Sequence, residues 1–89
     1  MTNVVLYTKH YCPHCKRAKA LLRSKGVDFV EHELVSHPEL TAEMIERSGG
    51  RRTVPQIFID GTHVGGASDL FELEAKGSLD PLIQPAKAA

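Results

Sequence analysis

Eighty-nine residues suffice for one domain with one modest core, and 42% hydrophobic with 25% charged residues is an ordinary soluble globular composition. Eleven Lys and Arg balance eleven Asp and Glu, which argues against a general nucleic-acid or anionic-membrane partner, since either needs a basic excess. No apolar run approaches the roughly 18–20 residues of a membrane span, and the opening MTNVVLYTK lacks the basic, apolar and small-residue regions of a signal peptide, so a cytoplasmic protein is expected.

Residues 3–8 (NVVLYT) form a β-branched and aromatic run that reads as a buried strand. After Cys12 the period changes. Cys15, Ala18, Leu21 and Leu22 make a helical stripe, Pro13 suits a first turn, and Gly26 suits the C′ position. Residues 27–34 (VDFVEHEL) alternate as a second strand, with Val27, Phe29 and Val30 inward. Ser36 and Glu39 have capping-box spacing, with Pro38 inside the first turn of a helix whose weak apolar face is Leu40, Met44, Ile45 and Ser48.

PQIFIDGTHVGG reads as strand, Asp60–Gly61 turn and strand. A third helix is expected from near Ser68 to Gly77, carrying Leu70, Phe71, Leu73 and Ala75, and a short one over residues 79–83. The order β-α-β-α-β-β-α predicts a single α/β domain over 1–89, with a four-stranded mixed sheet flanked by helices. The first three elements should make a right-handed parallel βαβ unit. The ordered core is expected over about 3–83, with 84–89 a flexible tail.

The only cysteines are Cys12 and Cys15. A zinc ribbon needs four ligands, usually from two such pairs, and only one pair is present, so no metal is expected. A structural disulfide across two intervening residues closes a tiny loop and gains little entropy. A redox pair at a strand-to-helix junction fits best. Cys12 falls where the helix dipole favours an anion, with Lys9, Lys16 and Arg17 nearby, so it is assigned as the attacking, exposed thiolate. Cys15, on the apolar stripe, is assigned as the more buried resolving thiol. Pro13 fixes the backbone between them. His14 has two readings: a cation that stabilises the thiolate, or an exposed spacer.

YTKHYCPHC, TVPQIFIDG and HVGGASDL together resemble the three signatures of dithiol glutaredoxins of the thioredoxin-like superfamily, across about residues 3–83. The resemblance implies a thioredoxin-like fold and glutathione-dependent reduction of glutathione mixed disulfides through Cys12, and of protein disulfides through Cys12 and Cys15. By the same resemblance, Lys9 pairs with the glycine carboxylate of glutathione. Thr53, Val54 and Pro55 form a loop with a cis proline, and its Val54 backbone pairs with the cysteinyl unit. Gly66, Ala67 and Ser68 offer N–H groups to the γ-glutamyl carboxylate, and Asp69 takes the amino group; helix capping is the plainer role for Ser68 and Asp69. One of Arg51 and Arg52 assists the glycine carboxylate, and Arg52 is preferred for its adjacency to Thr53.

Implied partners are glutathione and glutathionylated or disulfide-containing proteins, ribonucleotide reductase among them, met by a monomer in electron transfer and cell redox homeostasis. His14 departs from the tyrosine usual at its position; it should make the disulfide a stronger oxidant by stabilising the reduced thiolate. Two rival readings are a redoxin fed by thioredoxin reductase and a carrier or sensor holding a [2Fe–2S] cluster in a glutathione-ligated dimer. Lys9, the Thr53–Val54–Pro55 loop and Asp69 argue against the first, and Pro13 against the second.

Overall fold

The computed structural model describes residues 3–83; the tail expected over 84–89 lies outside them. Strand β1 (Val4–Thr8) leads into helix α1 (Pro13–Ser24), followed by strand β2 (Val30–Glu33). A 3₁₀ turn (Pro38–Leu40) runs into α2 (Thr41–Arg47); β3 (Gln56–Ile59), β4 (Thr62–Gly65), α3 (Ala67–Ala75) and α4 (Leu79–Ile83) complete the chain. The sheet order is β2-β1-β3-β4, with β1 parallel to β2 and the other pairs antiparallel. This is the four-stranded mixed sheet that the element order predicts. No helix among the described residues is long and apolar enough to cross a membrane.

Helices cover both faces of the sheet, which explains why all four residues of β3 are buried. On one face Leu6, Ile57 and Ile59 pack against Ala18 and Leu22 of α1, Leu70 of α3, and Leu79 and Ile83 of α4. On the other, Tyr7 and Phe58 pack against Leu34 and Met44 of α2. The Tyr7 hydroxyl donates to the Glu43 carboxylate and accepts from Arg47 Nη1 at 2.9 Å, tying α2 to the centre of the sheet.

Helix α1 ends as its sequence suggests. Gly26 takes φ 72°, its N–H reaches the Arg23 carbonyl, and Val27 N–H reaches that of Leu22. This 6→1 and 5→2 pair defines a Schellman motif. Asp60 (φ 51°) and Gly61 (φ 83°) make the left-handed two-residue turn of the hairpin.

Three local expectations change. Val30 is half exposed rather than inward, because β2 is an edge strand and only four residues long. The Ser36–Glu39 capping box does not form. Glu33 instead accepts N–H bonds from Ser36, Val35 and His10, and α2 starts at Thr41 behind the 3₁₀ turn with no side-chain cap. Helix α3 starts one residue before Ser68, and its Ala75 is exposed.

The register of β1 on β3 pairs Val4 with Ile59 and Tyr7 with Gln56. The segment leaving β1 and the segment entering β3 therefore emerge at the same end of the sheet.

Candidate active site

At that end the chain leaves β1, makes a turn closed by Cys12 N–H on the Lys9 carbonyl (3.1 Å), and enters α1. Cys12 is the N-cap of α1, in extended conformation, and Pro13 is the first helical residue. The Cys12 sulfur accepts the N–H of Cys15 at 3.3 Å. That is where a Ser, Thr or Asp oxygen ordinarily satisfies an orphan donor. A thiolate accepts such a bond better than a thiol does, and it sits at the positive end of the helix dipole. Both cysteines are free.

Cys15 is 1% exposed and Cys12 9%. The expected ordering holds, but Cys12 is more enclosed than a freely exposed sulfur. One cause is the loop before β3: the Val54 carbonyl lies 3.8 Å from the Cys12 sulfur, within reach of its S–H. Burial, then the contact with Cys12, pushes the Cys15 thiol up to about 12, against a smaller lowering by a Lys9 backbone hydrogen bond. Cys15 is thus held as a neutral thiol.

Beside the sulfur lies an open groove of about 390 Å³. One wall is Thr53, Val54 and Pro55, with the Val54–Pro55 bond cis. The other is Gly66, Ala67 and Ser68, at the N-terminus of α3. His14 and Arg17 of α1, Phe71 of α3 and Arg51 complete the lining. Asp69 stands behind the second wall. Its Oδ2 accepts Gly66 N–H at 2.9 Å and lies 3.5 Å from Arg51 Nη1. Gly65 has φ 124°, and a Cβ there would fall 2.2 Å from Asp69 Oδ2, so only glycine lets the carboxylate fold back.

Most residues singled out from the sequence therefore converge. Lys9 is half-buried and Arg52 exposed, and neither is among the groove-lining residues. Of the two neighbouring arginines it is Arg51 that lines the groove, and Ser48 holds its backbone. The Ser48 hydroxyl accepts Arg51 N–H at 3.1 Å and donates to the Arg51 carbonyl at 3.0 Å, fixing that backbone beside the groove. The sequence marks Arg17 only as a charge near Cys12 and Phe71 only as an apolar residue of the third helix; both also line the groove. The guanidinium lies 4.8 Å from the Phe71 ring centre, a pairing that only the packing of α1 on α3 creates.

Comparison with known proteins adds three findings. The family model for glutaredoxin matches residues 4–64. Glutaredoxin 3 of Escherichia coli (strain K12) is 57% identical over 84 residues, 94% of this chain and 100% of that protein. Among solved structures, a buckwheat glutaredoxin–glutathione complex superposes with a TM-score of 0.87 at 31% identity, covering 98% of this chain and 81% of that one. A glutaredoxin from Brucella melitensis does so at 0.81 with 53% identity, covering 97% and 92%.

Proposed function

The chain belongs to the glutaredoxin family and is a thiol–disulfide oxidoreductase, and from that premise we propose that its reductant is glutathione. The observation that carries the reading is the pairing of a helix-capping sulfur with a groove of opposed charges. Cys12 adjoins Val54, Arg51 lines the groove beyond it, and Asp69 stands behind the second wall, 3.5 Å from Arg51. A zwitterionic peptide fits such a groove, with a carboxylate toward Arg51 or the α3 N-terminus and an ammonium toward Asp69. The solved buckwheat relative in complex with glutathione supports the same choice.

The Cys12 thiolate attacks the glutathione sulfur of a mixed disulfide. A Cys12–glutathione disulfide forms, the old disulfide breaks, and the client leaves as a thiolate that takes up a proton. A second glutathione thiolate attacks the glutathione sulfur of that adduct, giving oxidised glutathione and restoring Cys12. For a protein disulfide, Cys12 attacks one client sulfur and the other leaves as a thiolate; Cys15 then gives up its proton, which the departing client sulfur takes up, and attacks the Cys12 sulfur, breaking the mixed disulfide and leaving Cys12 bonded to Cys15. Two glutathiones then reduce that bond.

Because Cys15 is held as a neutral thiol, it does not compete as a nucleophile in the first step. Lys9 and Arg52 remain candidates for the glycine carboxylate in the bound state. His14, on the groove wall, adds positive charge near Cys12 when protonated and so sets how oxidising the pair is. The clients are glutathionylated and disulfide-bearing proteins, ribonucleotide reductase among those to assay. The protein acts as a monomer in electron transfer in a reducing cytoplasm.

The test is glutathione-coupled reduction of a glutathionylated peptide and of a protein disulfide. Cys12→Ser should abolish both activities, and Cys15→Ser only the second. Activity surviving Cys12→Ser would sink the mechanism.

A further inference from the structure

Behind the Thr53–Val54 wall of the groove lies a polar chain that the reaction itself does not use. Gln56, the first residue of β3, is fully buried. Its amide nitrogen donates to the Thr53 carbonyl at 3.0 Å and to the Thr53 hydroxyl at 3.2 Å. Its amide oxygen lies 2.7 Å from His63 Nε2. The orientation of each group follows from its neighbour. A carbonyl only accepts, so the Gln56 nitrogen must face Thr53. The oxygen then faces His63, whose Nε2 must carry the proton. The histidine is fixed in turn by its ring, which packs 4.9 Å from that of Phe58, its cross-strand partner on β3.

We propose that Gln56 and His63 are positioning residues that hold the Thr53–Val54 segment in the shape that accepts the peptide backbone of the substrate. Thr53 is exposed, so water would satisfy its carbonyl if the amide were absent, and nothing else in this chain of contacts would fix its direction. A buried amide that can make its hydrogen bonds in only one arrangement turns a loop at a strand end into a rigid edge. Such an edge lowers the ordering cost of binding an extended peptide. The pair therefore acts mainly on recognition of the peptide part of the substrate; at the sulfur it reaches only the long Val54 contact and not the Cys15 N–H bond. The inference rests on the glutathione reading above.

The test uses one peptide in two mixed disulfides, one with glutathione and one with 2-mercaptoethanol, and follows the single-turnover reaction of each with the whole reduced protein. The native protein should prefer the glutathione disulfide. In Gln56→Met, which keeps the buried volume and removes the donors, that rate should fall about 3- to 10-fold. The 2-mercaptoethanol rate and the alkylation of Cys12 by iodoacetamide should change by less than about twofold, because the Cys15 N–H bond to the sulfur is untouched and only its long Val54 contact can shift. His63→Phe keeps the ring on Phe58 and should give a smaller loss in the same direction. It decides alone if Gln56→Met does not melt cooperatively. An unchanged preference overturns the proposal, as does an equal fall for both disulfides. A native protein with no preference overturns the glutathione reading instead.

Discussion

The amide of Cys15 donates to the sulfur of Cys12 across 3.3 Å, so the reacting atom also caps the helix that carries its partner. Capping and reactivity should therefore separate by substitution. Cys12→Ser keeps a capping oxygen and should retain stability while losing activity. Cys12→Ala should lose activity and about 0.5–2 kcal/mol of stability, read from urea unfolding of the reduced protein.

Cys15 gives a sign-defined pH dependence. Its folded value is raised from 9.0 to about 12. Its contribution to stability is whole below about pH 9 and is lost as pH rises toward 12, because the unfolded chain ionises first. Urea midpoints of reduced protein should fall more steeply between pH 9 and 11 than those of Cys15→Ser. Equal slopes would show that the buried thiol ionises freely.

Glu33 runs the opposite way. Partial burial pushes its carboxyl up, but N–H groups of Ser36, Val35 and His10 outweigh that and hold it at about 2. The folded value is depressed, so the stabilisation is present above the ordinary carboxyl value, about 4.3, and is lost as pH falls toward 2. Acid unfolding of Glu33→Gln should be flatter over that interval. Because His10 lies two residues before Cys12, the variant should also loosen the approach to α1, seen as faster amide exchange at Tyr11 and Cys12.

Arg51 and Arg52 test the groove directly. Arg51 lines it and sits 3.5 Å from Asp69, in a pair that is nearly half exposed. Arg51→Ala should raise the KM for glutathionylated peptide by about two- to fivefold, the range of an exposed ion pair. Arg52→Ala should do less. The reverse ranking would mean that the bound state recruits Arg52 in place of Arg51.

Removing the Tyr7 hydroxyl should leave chemistry alone and cost stability. Tyr7→Phe takes a shared partner from Glu43 and Arg47 and should cost about 1–2 kcal/mol. The expected change is a lower melting temperature with unaltered activity at 25 °C.

What the sequence made legible was whatever short-range chemistry controls. The Gly26 stop, the Asp60–Gly61 turn and the Pro13 start each depend on one or two residues and appear where expected. The failures came from competition at longer range. Ser36 and Glu39 had the spacing of a cap, but Glu33 claimed the Ser36 N–H first. Val30 had the residue type of an inward strand position, yet its strand lies at the sheet edge. Arg51 and Arg52 look alike in one dimension, and only the fold shows that Arg51 lines the groove, with its backbone bonded to Ser48, while Arg52 does not. The Arg17–Phe71 contact joins two helices and has no local signal at all.

The pairing of Tyr7 with Gln56 and of Val4 with Ile59 also divides the molecule into two poles. The sulfur and its groove occupy one. The Asp60–Gly61 hairpin tip occupies the other, held by the Asp60 N–H on the Asn3 carbonyl and the Asn3 N–H on the Asp60 carboxylate. A one-residue slip in the central ladder would displace the thiol by about 3.4 Å relative to its groove and turn β3 over. The ladder thus works as a caliper, and the hairpin tip is the permissive place to graft a reporter or tether: added chain there lies a full strand length from the chemistry.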